Sequence, residues 1–319
     1  MSDAGGGRPG DTEAELSSLI TAVQDGRDAT AWDLVRRLTD SGTDPDAALS
    51  ALFIAEPRTW LRLDTALRAW HAYTGAARAK PPVDANALDV LIAACSNDGR
   101  VRQAALATTA MRTDTRLWPI LVIRTADWAA PVRNDARTVL RDALAATYGS
   151  PYNVALLKAI DVALRIREQH RADAAMALVT EAVRNSPPEV LAAARESRSL
   201  PARRWAYRLW LDGTVPLDTL VDAALRETEI VCRMLCAEAA AERALAEGNA
   251  QPLERMLTSR NERVRAETLT ALVKLGRADR GRDFLTSRSA LMRATAQWAV
   301  RQTGRRPSGV VPLRPGVPR

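Results

Sequence analysis

One short pattern recurs along this chain and constrains its fold more than any other feature: a small or apolar residue, an arginine, two variable positions, and another small residue. It reads Val101-Arg102 with Ala105, Val132-Arg133 with Ala136, Ala202-Arg203 with Ala206, Cys232-Arg233 with Cys236, Val264-Arg265 with Thr268, and Met292-Arg293 with Ala296. Successive arginines are 31, 70, 30, 32 and 28 residues apart, and His170-Arg171 with Ala174 divides the interval of 70. Leu61-Arg62 with Thr65 and Gly26-Arg27 with Thr30 extend the series towards the N-terminus, so nine units is its upper bound. A period of about thirty residues marks an array of supersecondary units, each too small to bury its apolar face alone.

Each unit reads as two helices. The chain is 47% hydrophobic with only 4% aromatic residues, and its apolar content is mainly Ala, Leu and Val, which favours helix over sheet and excludes a β-sandwich or barrel. Prolines punctuate the expected helix starts at Pro45, Pro57, Pro119, Pro131, Pro151, Pro187, Pro201, Pro216 and Pro252. A first-turn position has no use for the amide hydrogen that proline lacks. At 100° per residue, Thr268, Leu269, Ala271, Leu272, Val273 and Leu275 share a wide apolar arc with Val264, and Arg265 falls inside it. A charge in a packing face is costly unless paired. Arg102, Arg133, Arg203, Arg233, Arg265 and Arg293 are therefore expected to be structural joints reaching a carboxylate or carbonyls at a neighbouring turn, with Asp98, Asp127 and Glu229 as candidate acids.

The segments SNDGRVRQAAL (96–106), TSRNERVRAETL (258–269) and ADWAAPVRNDA (126–136) resemble the HEAT repeat. That resemblance covers about residues 84–303 and, more loosely, 13–74. It implies an all-α, right-handed α-solenoid of about seven to nine helix pairs whose second helices line a concave surface. The units near 171 and 203 lack the acidic turn residue. The expected organisation is a disordered N-terminal tail (1–12), helical hairpins that cap the array (13–74), a loop (75–83), the repeat array (84–303), and a disordered basic Pro/Gly-rich tail (304–319) carrying Pro312 and Pro315 at PxxP spacing.

Charge is unevenly placed. The net charge is +7, yet residues 255–319 hold 15 Lys or Arg against 4 acids, while residues 1–254 hold 30 against 34. Such a basic end can steer towards phosphate or an acidic protein surface. On the face opposite the core, the helical wheel places Arg204, Trp205 and Arg208, then Arg263 and Lys274, then Trp298. Tryptophan among arginines suits base stacking or a partner helix, although Trp205 and Trp298 are equally placed to pack between units. Glu238, Glu242, Asp135 and Asp142 interrupt the stripe.

The chemical motifs are few. His71 and His170 are the only histidines and stand in no metal or hydrolase spacing, and no Gly-rich loop follows a strand. Cys95, Cys232 and Cys236 are too few and too poorly spaced for a disulfide framework or structural zinc, so no metal, cofactor or catalytic residue is assigned. Asp127-Trp128 sets a carboxylate beside an aromatic, as a base-handling enzyme requires or as a capped turn over a packed ring. The N-terminal MSDAGGGRPGDTEAE lacks the apolar core of a signal peptide, and no run approaches 18 apolar residues, so the expectation is a cytoplasmic chain with no membrane span. The expected function is a non-enzymatic scaffold that binds a protein partner through its concave face and basic C-terminal end. Two alternatives stay open: nucleic-acid binding, including a DNA glycosylase of the kind built from HEAT-like helices, and a HEAT-like lyase acting on a protein partner with Cys232 and Cys236 as its reactive pair. No sequence feature assigns an oligomeric state.

Overall fold

The computed structural model describes residues 9–26, 28–75, 79–145, 150–167 and 173–303, and every regular element among them is helical. Outside the described residues lie most of the first tail, the whole C-terminal tail with Pro312 and Pro315, and the pattern members Arg27, His170 and Arg171. The chain forms two compact units, residues 1–202 and 203–319.

The first unit contains α1 (Pro9–Gln24), α2 (Asp28–Leu38), α3 (Pro45–Ile54), α4 (Pro57–Thr74), α5 (Ala87–Ala94), α6 (Gly99–Leu106) and α7 (Thr109–Thr113). It continues with α8 (Trp118–Arg124), α9 (Ala130–Ala145), α10 (Ser150–Arg167), α11 (Asp173–Asn185) and α12 (Pro188–Arg195). The division falls inside α13 (Leu200–Leu211), and the second unit adds α14 (Leu217–Arg226), α15 (Ile230–Glu247), α16 (Gln251–Glu254), α17 (Glu262–Lys274) and α18 (Ala290–Gln302). Prolines open these helices. α3 and α4 start on Pro45 and Pro57, α12 and α14 follow directly on Pro187 and Pro216, and Pro119, Pro131, Pro151, Pro201 and Pro252 each lie one residue inside a helix.

In the second unit, α14 packs on α15, α15 on α17, and α17 on α18. Small residues make the close approach possible: Ala237, Ala240, Ala241 and Ala244 of α15 share one buried cluster with Val264, Leu269 and Leu272 of α17 and with Met292, Ala296 and Ala299 of α18. α15 ends on Gly248 at φ 66°, with Asn249 N–H donating to Ala244 O at 3.0 Å, a left-handed cap that glycine adopts without a Cβ clash. The first unit is less regular. α6 and α8 both pack on α9, and α10 on α11, but α4 lies against α8 and α10, far along the chain. Strict neighbour-to-neighbour stacking therefore does not describe this unit, and part of its stability comes from contacts of high sequence separation.

The repeat arginines share one geometry. Each occupies the fourth position of its helix, and five of the six reach back across the preceding turn to the carbonyl six residues earlier. Arg102 donates to Ser96 O at 2.9 Å and Asn97 O at 3.1 Å, Arg133 to Asp127 O at 2.8 Å, and Arg233 to Glu227 O at 2.7 Å. Arg265 donates to Ser259 O, and Arg293 to Ser287 O at 2.8 Å and Arg288 O at 2.9 Å. Arg203 meets the carboxylate of Glu227 at 2.7 Å instead.

The carboxylates are distributed differently from the sequence expectation. Of the three candidate acids only Asp127 takes the side chain of a repeat arginine; Asp98 caps α6 by accepting from Arg100 N–H at 2.8 Å, and Glu229 binds Arg204 at 2.7 Å. Neither is needed at a turn whose carbonyls already satisfy the guanidinium. Burial of the series is also graded, from Arg102 fully enclosed to Arg293 exposed, because Arg293 lies in the last described helix.

Gly281 tests the packing of the last hairpin. A Cβ at this buried position would stand 2.7 Å from Ala299 Cβ and 3.0 Å from Ala296 O, both on α18. Gly281→Ala should therefore destabilise the protein by about 1–3 kcal/mol through overpacking, read as a lowered denaturation midpoint, whereas Gly248→Asn should cost less than about 1 kcal/mol.

Candidate functional site

A buried polar cluster is built on α4, α6, the end of α8 and the turn that follows it. Asp127 is its centre, with a side chain that has no solvent exposure. Its Oδ1 accepts from Arg102 Nη2 and from the Ala129 amide, both at 2.9 Å. Its Oδ2 accepts from Arg102 Nε at 2.9 Å, Arg124 Nη1 at 3.0 Å and, more weakly, Arg68 Nη2 at 3.5 Å. Asp64 completes the network by taking Arg68 Nε at 3.2 Å and Arg124 Nη2. Three guanidinium groups thus share two carboxylates. Arg124 is 1% exposed and its Nε has no partner, so its charge rests on the two acids alone.

Burial pushes the Asp127 carboxyl up, but the Arg102 hydrogen bond, the Ala129 amide and the charges of Arg124 and Arg102 outweigh it and hold the group below its ordinary value. A carboxylate so ionised and so fully coordinated cannot serve as a general base, which needs a free lone pair within reach of the proton it removes. The geometry fits the capped turn but not the packed ring expected with it: Trp128 is exposed and lies over Arg102, 5.4 Å from guanidinium carbon to ring centroid.

The other reactive groups are enclosed as well. Cys95, Cys232 and Cys236 are buried thiols. Burial, followed by the Glu229 hydrogen bond and charge, pushes the Cys232 thiol up to about 12, far from the thiolate that nucleophilic chemistry requires. Burial also lowers the His71 pKa against the opposing effect of a hydrogen bond to the Cys95 backbone. Among the described residues no group of His, Cys, Asp or Glu is placed to hold a metal ion, and no helix is long and apolar enough to cross a membrane.

The residues expected on the exposed arc separate into two sets. Arg208, Arg263 and Lys274 are exposed. Arg204 is ion-paired with Glu229, whose pKa is held at about 2 chiefly by that hydrogen bond, so Arg204 is a stabilising contact within its own unit more than a free cation. Trp205 is half-buried, and Trp298 is half-buried against the core of the second unit. Of the interrupting acids, Glu238, Glu242 and Asp142 are exposed, while Asp135 accepts from Gln103 Nε2 at 2.8 Å.

Two features escaped the sequence reading. Trp128 is 67% exposed, although its neighbour Asp127 is buried. The residue six positions before each repeat arginine also has a second role. The side chains of Ser96, Asp127, Ser197, Glu227, Ser259 and Ser287 all accept the amide two residues later, at 2.8–3.3 Å. A Ser, Asp or Glu at that fixed offset was legible in the sequence as part of the repeat.

Removing the central acid should expose the cost of its arginines. Asp127→Ala leaves Arg102 and Arg124 buried without it and should cost about 3–5 kcal/mol in denaturant titration. Because the native pKa of Asp127 is depressed, its contribution is present above the unfolded value of about 4 and is lost as pH falls through the native value. The gap between wild type and Asp127→Asn should therefore be full at neutral pH and narrow in acid. No protein-family model matches this chain, and no curated protein is significantly similar to it in sequence.

Proposed function

We propose that this protein is a non-enzymatic, HEAT-like helical-repeat scaffold that binds an acidic protein surface through its second helices and its basic C-terminal end. The observation that carries this reading is the pairing pattern of residues 255–303. Arg255, Arg277 and Arg280 are held by Asp218, Asp222, Glu254, Asp279 and Asp283. Arg260, Arg263, Lys274, Arg282, Arg288 and Arg301 are exposed and pair with no carboxylate among the described residues. Exposed cations without internal partners give little to stability, and a partner of opposite sign gains both attraction and faster encounter from them. The stacking of α15 on α17 and of α17 on α18 supports the repeat reading, since it brings second helices of successive pairs side by side. The enclosed thiols and the fully coordinated Asp127 support binding over catalysis, and they weigh against both the lyase and the glycosylase alternatives.

Nucleic-acid binding is the second reading, favoured by the same exposed cations. One experiment separates the two. The Arg260→Glu/Arg263→Glu/Arg288→Glu variant should lose a stoichiometric protein partner that the wild-type chain retains at low salt. Failure of the wild type to retain any protein, together with a nucleic-acid gel shift that weakens steeply with salt, would replace the scaffold reading with the second one.

A further inference from the structure

Beside the buried network, Trp128 lines two recesses. The cleft on the α4 side, about 280 Å³, is lined by Asp64, Arg68, Arg124 and Asp127, whose charges are mutually paired. The recess on the α9 side, about 390 Å³, is lined by Ala126, Asp127, Trp128, Arg133 and Arg137. Its cations are placed differently. Arg133 Nη1 donates to Asp127 O at 2.8 Å and Trp128 O at 3.3 Å, and Arg137 Nε donates to Thr125 O at 3.2 Å. These bonds fix both guanidinium groups against the turn but leave the remaining N–H groups of each fork without a carboxylate among the described residues. The one acid in the lining, Asp127, is fully engaged by Arg102, Arg124 and Arg68.

Comparison among the repeats shows that the scaffold does not require this arrangement. Four residues after the repeat arginine, the other units carry Leu106, Tyr207, Ala237 and Leu269, all buried, and Gln297 in the last helix. This unit alone has an arginine there. Five residues before it, the units carry Asn97, Arg198, Thr228, Arg260 and Arg288, and only this one has an aromatic residue, Trp128. A single unit has therefore replaced a core position with a cation and a polar turn position with an exposed indole, and both line one recess.

We infer that the recess formed by Trp128, Arg133 and Arg137 binds a nucleoside monophosphate, with the base stacked on the Trp128 indole and the phosphate on the free N–H groups of Arg133 and Arg137. A bare anion needs no indole, and an apolar ring needs no guanidinium pair. A nucleoside phosphate supplies both groups on a flexible sugar, every base offers a π-face, and the paired forks match phosphate oxygens. A recess of about 390 Å³ lies within the range usual for small-ligand sites. The same chemistry could be presented by a free mononucleotide or by one nucleotide of a single strand. This site belongs to the first unit and does not depend on the scaffold reading, which rests on the second.

The test is equilibrium dialysis of the full chain against AMP, inorganic phosphate, a phosphotyrosine peptide and (dT)8 at low salt. Saturable AMP binding is expected, weakened at least about fivefold by Trp128→Ala and by Arg137→Gln, with Trp128→Phe intermediate. Trp128 is exposed and Arg137 half-buried, and a single cooperative denaturation transition confirms that each variant is folded. Phosphate binding should be weaker than AMP binding and insensitive to Trp128→Ala. Tighter binding of (dT)8 with a steeper salt dependence identifies a single strand as the source, and equal affinity per site identifies the free nucleotide; either result supports the site. The inference is overturned by the absence of AMP binding at millimolar concentration, by AMP binding indifferent to both variants, or by preference for the phosphotyrosine peptide.

Discussion

The fold depends on one recurrent bond, in which a guanidinium at the fourth position of a second helix donates to a carbonyl at the turn before it. That position is unfavourable for a cation on its own helix, since the N-terminal turns carry the positive end of the helix dipole. The long side chain resolves the conflict by carrying its charge backwards to the end of the preceding helix or turn, where carbonyl oxygens lack amide partners. The bond closes the hairpin angle and satisfies an acceptor that would otherwise be stranded beside a packed interface. Arg62 does the same at longer range, donating to Val23 O and Gln24 O at the end of α1, and Lys158 Nζ reaches Ile54 O and Ala55 O at the end of α3. Cations placed on helix C-termini thus hold together both successive and distant elements of the first unit.

The second element of the joint is the acceptor side chain at the same residue. Its oxygen takes the amide that enters the next helix while its backbone oxygen takes the arginine, so one residue fixes both sides of the turn. Serine is sufficient where water reaches the guanidinium. At Arg102 the enclosure is complete, and a neutral turn would leave a buried positive charge. There the acid of the following turn, Asp127, comes across to neutralise it. That engagement draws in Arg124 and Arg68 and ties α4 to the turn after α8 across 59 residues of sequence. The same engagement removes Asp127 from chemistry, which is why an Asp-Trp pair that reads like a base-handling motif is here a structural hub with an exposed ring above it.

Much of this was legible from residue types. The prolines and the apolar-Arg-x-x-small pattern place the helix starts within a residue because both report first-turn chemistry, which is local. The expectation that the arginines reach carboxylates or carbonyls at a neighbouring turn was also physical, but the only partners it could name by residue were acids. Five of the six found carbonyls, which no side-chain alphabet displays. Arg204 illustrates the other limit. Its wheel position suggested a free surface cation, yet Glu229, 25 residues later, captures it, and that pairing depends on how two helices of different hairpins meet. Trp298, for which the sequence left both an exposed and a packed position open, is half-buried against the second unit's core, since the wheel reports direction around one helix and says nothing about the neighbour that covers it.

With forty-two arginines in a chain of 319 residues, the partner each guanidinium finds is more informative than its presence. Those directed at carbonyls of the preceding turn hold hairpins, and those directed at buried carboxylates hold distant helices together. Others end exposed, among them Arg58, Arg100, Arg112 and Arg141 in the first unit and, in the second, Arg208 and a set towards the end of the described chain. Arg133 and Arg137 stand apart, each anchored to a carbonyl with part of its fork left beside one exposed indole. Structural arginines and ligand-facing arginines here share the same anchoring bond to a carbonyl; they differ in whether the rest of the fork is enclosed. Arg102 and Arg133 hold equivalent positions in adjacent repeats, yet enclosure turns the first into a structural joint, while the recess beside Trp128 leaves the second with hydrogen-bond donors to offer.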